Sequence, residues 1–230
     1  MYSKDNPESI KTLFDNIAYN YDFINNVISF GLQNYIKNDA LNMLQGEDYN
    51  RIIDLCTGTG DIALRLIKKF PESHILATDF SSRMLEITRY KIKGKYNIMA
   101  EKADVMALPY EHNTFDLCTV FFGLRNLPDI DKAIDGIYKV LKDDAELLIV
   151  DLVKPKFDAV EFYFGKCMPI IASIFSKDKE AYRYLAESRK TYLSHNELMK
   201  LLQHHKFRVI KRKEYFFGLV SLNLVKKFTA

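Results

Sequence analysis

Four carboxylates and a pair of glycines are spaced as a nucleoside-cofactor site would need them. Asp54 closes the run Arg51-Ile-Ile-Asp54, and small residues follow at alternate positions, Cys56, Gly58 and Gly60, with Thr59 between the glycines. Glycines in such a turn tolerate positive φ and let backbone approach a ligand. Two cofactor classes fit. Gly58-Thr-Gly60-Asp-Ile-Ala63 matches the dinucleotide pattern, in which a helix N-terminus faces a pyrophosphate. The same turn suits S-adenosylmethionine, whose cationic amino group Asp54 can face directly or through water. A pyrophosphate beside Asp54 and Asp61 would meet like charge in a partly dry site. The sulfonium cofactor therefore ranks well above the dinucleotide, and above a glycine turn with no ligand.

Further residues complete such a site. Asp79 follows the glycines by about 20 residues, the usual distance for a carboxylate that accepts both ribose hydroxyls; taken alone it could be a helix cap. Asp104 lies on the loop after the next apolar stretch, where an acid accepts from the adenine amine while Val105 packs the ring. The segment Gly123-Leu-Arg125-Asn126 makes Arg125 and Asn126 candidates for substrate contact. Tyr19, Tyr21 and Asp22 could face the same cleft, although on residue type alone Tyr21 reads better as a packing aromatic and Asp22 as a solvated charge.

These side chains need elements to carry them. Ile52 and Ile53 supply a first strand, and Ile62 to Ile67 shows helical spacing, so a helix starts near Asp61. His74–Asp79 reads as a second strand, followed by a helix that Ser81 and Ser82 cap. Asn97–Asp104 is a third, weaker strand. Phe115–Phe122 lacks polar alternation and is expected to be central, buried on both faces, which delivers Arg125 to the carboxyl edge where doubly wound sheets bind ligands. A helix from Asp129 to Leu141, a fifth strand Glu146–Asp151, a helix over Asp178–Leu193, a capping box at Ser194-His-Asn-Glu197 and two final strands follow. Residues 8 to 45 read as helices broken at Gly31, a lid over the cleft. Val160 to Phe175 is strongly aromatic and reads equally as cover for a greasy substrate, a subunit contact that would make a homodimer, or ordinary packing.

Composition bounds the function. A chain of 230 residues with 48% hydrophobic and 27% charged residues reads as globular, and a net charge of +3 predicts no nucleic-acid partner. Cys56, Cys118 and Cys167 are far apart, and His204 and His205 point apart on a helix, so neither a disulfide framework nor a metal site is expected. The N-terminal residues lack an apolar signal core and no run of about 18 apolar residues exists. The expected place is the cytoplasm, with peripheral contact on the inner membrane face left open. Basic residues on the last strands, Lys206, Arg208, Lys211, Arg212, Lys213, Lys226 and Lys227, could favour anionic lipid, although lysines guarding a sheet edge are commoner.

Taken together, Tyr21-Asp22 with Asn25 and Ser29-Phe-Gly31, Asp54-Leu-Cys-Thr-Gly-Thr-Gly-Asp61, Phe122-Gly-Leu-Arg-Asn126, Lys154-Pro155 and Tyr182-Arg-Tyr-Leu-Ala-Glu-Ser188 occur in order and at fitting distances. Over almost its whole length the chain resembles the ubiquinone/menaquinone biosynthesis C-methyltransferases of the UbiE/MenG type. The resemblance implies an α/β, Rossmann-like class I SAM-dependent methyltransferase fold: a doubly wound, mostly parallel sheet, a helical N-terminal lid over 1–45 and a methyltransferase domain over 46–230 with a helical insertion at 156–193.

It also implies cofactor contacts at Thr59, Asp79, Asp104 and Val105, beside Asp54, Gly58 and Gly60, and sets Phe121 at a cofactor-lining position that is often serine. Other departures are Cys56 for glycine or alanine, Ile36 for tryptophan, Asp143-Asp144-Ala145 for a Pro-Gly-Gly turn, and an altered run from Arg189 to Ser194. The implied reaction moves a methyl group from S-adenosylmethionine, leaving S-adenosylhomocysteine, to a ring carbon of a lipophilic quinol such as demethylmenaquinol. Arg125 would stabilise the phenolate, Asn126 would hold the neighbouring oxygen, and Tyr21 and Asp22 would close the pocket, with Tyr182 and Arg183 as weaker candidates. Two alternatives stay open: C-methylation of a ubiquinone precursor or another lipophilic aromatic, and a non-catalytic scaffold in a quinone-synthesis complex.

Overall fold

The computed structural model describes residues 2–44, 46, 49–154 and 178–228. Apolar runs that alternate with amphipathic ones dictate a layered arrangement, because each strand buried on both faces needs a helix on either side. Strands β1 (Arg51–Leu55), β2 (His74–Asp79), β3 (Ile98–Lys102), β4 (Phe115–Phe121) and β5 (Leu141–Leu152) form parallel ladders. Two antiparallel strands, β6 (Phe207–Tyr215) and β7 (Val220–Lys227), complete the sheet. The order is β3-β2-β1-β4-β5-β7-β6, reversing direction between β1 and β4. The fold is α/β, Rossmann-like and doubly wound.

That reversal opens a crevice at the carboxyl ends of β1 and β4, where ligands bind in sheets of this kind. Helices α4 (Asp61–Lys69), α5 (Ser82–Ile92) and α6 (Ile130–Val140) cross over between the parallel strands, α5 and α6 starting at the side-chain caps Ser81 and Asp129. β4 is buried on both faces, as its unbroken apolar run requires. Helix α8 (His195–His204) opens with the capping box, where Ser194 and Glu197 satisfy each other's backbone amides.

The N-terminal segment folds as α1 (Pro7–Ile17), α2 (Tyr21–Ile28) and α3 (Leu32–Leu41), with Gly31 at φ +75° turning the chain between α2 and α3. Leu13, Ile17, Ala18 and Ile24 pack with Met84 of α5 and with Ala181, Tyr182 and Leu185 of α7 (Lys179–Glu187), a core separate from those on the two faces of the sheet. The aromatic stretch from Val160 to Phe175 lies outside the described residues, as does most of the expected insertion.

Two expectations are corrected. β5 begins at Leu141, five positions before Glu146: Leu141 pairs with Phe115, and the acidic pair that stands for a Pro-Gly-Gly turn forms an irregularity, with Asp144 at φ +62°, before regular pairing resumes at Glu146. Lys226 lies 3.2 Å from Asp144, and Lys227 lies 3.6 Å from Asp143 and donates to the Leu141 carbonyl at 2.7 Å. Several of the basic residues thus have intramolecular partners: Lys213 bonds Asp39 of α3, Arg212 lies by Glu214, and Lys211 donates to the Met43 carbonyl. The other correction is minor. β3 stops at Lys102, and the Asp104 side chain instead caps the short turn Val105–Ala107.

Candidate active site

β1 runs out into Cys56, whose φ of +54° swings the chain toward Gly58 at +56° and Gly60 at +81°. The two glycines serve different ends. A Cβ on Gly60 would lie 2.8 Å from Thr88 Cγ2 of α5, so this glycine is needed for close packing. A Cβ on Gly58 would meet nothing within 4 Å, which leaves that backbone open to a ligand. Asp79 is held against the same turn, its carboxylate accepting from the Gly58 amide and the Ser81 amide, each at 2.8 Å. Each oxygen keeps a lone pair, so two ribose hydroxyls can still donate to it. Burial raises its pKa to about 6, against the pull of those amides.

Asp54 is placed differently from a side chain in direct contact with a ligand. It is 1% exposed and accepts from Thr57 Oγ1 at 2.5 Å and Thr119 Oγ1 at 2.6 Å. Burial pushes its carboxyl up to about 7 in spite of both hydroxyls. Asp61 carries less free charge than its position suggests, since Lys37 and Arg65 each approach it at 3.0 Å. The charge argument against a pyrophosphate therefore rests on Asp54 and Asp79. Val105 is 5% exposed, while Asp104 is exposed and accepts from the Met106 amide. Phe121 lies in the apolar core with Ile52, Leu148 and Leu222.

Two adjacent residues of α2, Tyr21 and Asp22, have different partners. Asp22 accepts from the hydroxyl of Thr59, between the glycines, at 2.7 Å, and pairs with Lys91 at 2.6 Å. Asp15 of α1 accepts from the hydroxyl of Ser81 at 2.5 Å, beside Asp79. Tyr21 lies between Asp22 and Arg125 in its electrostatic surroundings: burial raises its hydroxyl pKa, and the positive charge of Arg125 acts against that rise. Tyr19 is 73% exposed with the Arg83 guanidinium over its ring, so it does not line the crevice.

The second half of the site hangs on one strained carbonyl. Phe122, partly buried at φ +58°, points its carbonyl so that it accepts both Arg125 Nη1 at 2.6 Å and Asn126 Nδ2 at 3.3 Å. Arg125 Nη1 also donates to Asp151 Oδ1 at 2.6 Å, and the Arg125 amide donates to Asp151 Oδ2 at 3.1 Å. Desolvation alone would lower the Arg125 pKa; the charge of Asp151 and its hydrogen bond outweigh it and hold the guanidinium charged.

Around this pair, buried polar atoms have no hydrogen-bond partner among the described residues: Arg125 Nε, Asn126 Oδ1 and the hydroxyls of Tyr182, Tyr184 and Tyr192. Buried polar groups are almost always paired, so a cluster of unpaired ones marks a place for a polar ligand or water. All belong to one neighbourhood. The charges of Arg125 and Asp151 act on Tyr192, that of Arg125 on Tyr184, and Tyr182 lies by Tyr21.

Arg125, Asn126 and Tyr21 are thus brought together, and Asp22 stands on the cofactor side. Arg183 is turned out to Glu180 with a side chain 53% exposed. Residue reading missed Asp151, Tyr184 and Tyr192. Asp151 had a signal, since it closes an apolar strand at the carboxyl edge as Asp54 and Asp79 do. No helix among the described residues is long and apolar enough to cross a membrane.

A family model described as the ubiE/COQ5 methyltransferase family matches residues 2–227. The demethylmenaquinone methyltransferase of Lactiplantibacillus plantarum is 31% identical over 227 residues, covering 95% of this chain and 96% of its own. The ubiquinone/menaquinone biosynthesis C-methyltransferase UbiE of Haemophilus ducreyi is 31% identical over 233 residues, covering 98% and 90%. Among solved structures, the [4+2]-cyclase SpnF superposes with a TM-score of 0.73 at 14% identity, covering 96% of each chain. A SAM-dependent methyltransferase of Thermotoga maritima gives 0.68 at 19% identity, covering 94% and 99%. At such identities the structures share the fold alone.

Proposed function

Because the chain belongs to the ubiE/COQ5 methyltransferase family, we propose that it transfers a methyl group from S-adenosylmethionine to a ring carbon of demethylmenaquinol, a polyprenylated hydroquinone, in menaquinone biosynthesis. Relatives named demethylmenaquinone methyltransferase support this acceptor. The observation that carries the reading is the buried Arg125–Asp151 pair at 2.6 Å, set at the carboxyl edge with unpaired polar atoms around it.

When bound, S-adenosylmethionine supplies an electrophilic methyl carbon on a positively charged sulfur. The residues fit that cofactor. Gly58 leaves backbone open, Asp79 offers two acceptors to a ribose, Val105 offers an apolar wall to an adenine, and Asp54 contributes negative field from beneath the turn. On the acceptor side, the permanently charged Arg125 favours passage of the quinol hydroxyl proton to water, because its field stabilises the phenolate; the ring proton that the methyl group replaces leaves to water in turn. The phenolate feeds electron density to the ring carbon, which makes it the nucleophile. Asp151 fixes the guanidinium from behind, so no reorganisation is required as charge develops. Tyr21 closes the pocket from the lid, and Asp22 keeps the lid on the cofactor turn.

The acceptor is a membrane lipid, so the inner, cytoplasmic face of the membrane is the proposed place of work. The test is transfer of radiolabelled methyl from S-adenosylmethionine under reducing conditions, with demethylmenaquinol and a demethyl-ubiquinol precursor offered separately. Label in menaquinol is expected. Label in the benzoquinol alone would move the acceptor to ubiquinone synthesis, and label in neither would overturn the reading.

A further inference from the structure

Among the unpaired atoms beside Asp151, three are hydroxyls of Tyr182, Tyr184 and Tyr192, which rotate to donate or accept as a ligand requires. The other two have fixed character. Arg125 Nε only donates. Asn126 Oδ1 only accepts, and its identity is settled by geometry: the other end of the amide lies 3.3 Å from the Phe122 carbonyl, a contact only an NH2 group can make. Asn126 is 6% exposed, so water offers this oxygen little relief. Two adjacent residues therefore present one obligate donor and one obligate acceptor in the same buried place.

We infer that Asn126 makes the acceptor site selective for oxidation state, admitting the hydroquinone and disfavouring the matching quinone. The inference rests on the proposed function and adds a determinant to it. A hydroquinone carries two O–H groups, each able to donate to Asn126 Oδ1 and to receive a donor such as Arg125 Nε. A quinone carries only carbonyl oxygens. It satisfies Arg125 and the tyrosines but either sets lone pairs against Asn126 Oδ1 or leaves that oxygen buried and unpaired. That oxygen is already unpaired in the free protein, so the quinol gains a hydrogen bond that the quinone cannot make, about tenfold or more in affinity. The chemical consequence is apt, because the quinone ring is electron-poor and cannot serve as the carbon nucleophile; a site that held it would be blocked.

The experiment is equilibrium binding of a chain-free pair, 1,4-naphthoquinol and 1,4-naphthoquinone, to the full chain loaded with S-adenosylhomocysteine, by anaerobic calorimetry. No turnover is involved. The expected result is quinol binding at least about tenfold tighter than quinone. In Asn126→Leu the ratio falls to near one, chiefly through loss of quinol affinity. In Asn126→Asp, which keeps an acceptor at the same place, the preference for quinol persists. Equal affinity of the two forms for the unmodified protein overturns the inference whether or not either variant folds. So does an equal loss for both forms in both variants, the pattern of a residue that merely props Phe122. Binding of neither form, nor of demethylmenaquinol itself, to the unmodified protein removes the proposed function, a different outcome from equal binding.

Discussion

The hydroxyl of Thr59, between the two glycines that follow β1, lies 2.7 and 2.9 Å from the two carboxylate oxygens of Asp22 in α2. One helical turn thus ties together both halves of the site, because Tyr21, next in sequence, lies in the field of Arg125. Asp22 is expected to help close the pocket, and this bond gives it the geometry of a latch. Its side chain is 48% exposed, so the pair with Lys91 adds little, and the Thr59 bond carries most of the strength. In Asp22→Asn the lid should open more often by about 1 kcal/mol. Amide exchange over Tyr21–Ile28 would then quicken several-fold while that in β1 and β4 stays unchanged. Unaltered exchange in α2 would show that its apolar packing alone holds it.

The Arg125–Asp151 pair separates stability from chemistry. Both side chains are buried, at 5% and 0% exposure, so Asp151→Asn leaves a charged guanidinium without its counterion. We expect a loss of about 3 kcal/mol in urea unfolding. The double variant Arg125→Met, Asp151→Leu removes both charges and should recover most of that stability, since apolar replacements of buried pairs are often neutral or better. Methyl transfer should remain lost in the double variant. Recovery of turnover together with stability would show that the pair only supports the fold.

The two buried carboxylates of the cofactor half make affinity depend on pH. With folded pKa values of about 7 for Asp54 and about 6 for Asp79, both above the ordinary value of 3.8, the fold favours their neutral forms. Their contribution to stability is therefore greatest at low pH and declines as pH rises through those values. Cofactor binding is expected to run the opposite way, because a ligand's cationic amino group and ribose hydroxyls both favour ionised carboxylates. Calorimetry should find S-adenosylhomocysteine bound about tenfold more weakly at pH 5.5 than at pH 8. Asp54→Asn should flatten the upper part of that rise. Affinity independent of pH between these values would show that neither carboxylate titrates against the ligand.

Much of this was legible from residue order. Strand ends with acids, glycines at alternate positions and serine caps are local signals, and they placed β1, β2, α4 and α5 almost to the residue. What stayed hidden depends on contacts distant in sequence. Thr119 lies 65 positions from Asp54, and nothing near either announces the hydrogen bond that turns the carboxylate inward. Likewise Tyr184 and Tyr192 look like core aromatics in sequence, and only the sheet edge that brings them to Arg125 reveals their unpaired hydroxyls. The early start of β5 was missed because Asp144 does turn the chain, at φ +62°, and only the pairing of Leu141 with Phe115 of β4 extends the strand to the far side of that turn.

Gly123 offers a test of how tightly the two strand ends are joined. A Cβ at this position would lie 2.6 Å from Cys56 Cβ and 2.7 Å from its Sγ, so the carboxyl ends of β1 and β4 touch through these residues. Gly123 itself has φ −102°, which any residue adopts, so Gly123→Ala suffers from the collision alone. A loss of about 2 kcal/mol is expected, with weakened cofactor binding as the turn shifts. Both colliding atoms belong to one side chain, and Cys56 is strained at φ +54°, a conformation glycine takes freely. Cys56→Gly should therefore restore stability to Gly123→Ala. The parallel case behaves otherwise. Gly60→Ala collides with Thr88 but also needs φ +81°, so Thr88→Ala removes the collision and leaves the strain. Chemical unfolding of the four variants distinguishes the two cases: rescue at Gly123 with no full rescue at Gly60 is the expected pattern, and rescue at neither would mean that the strand ends move apart as a unit.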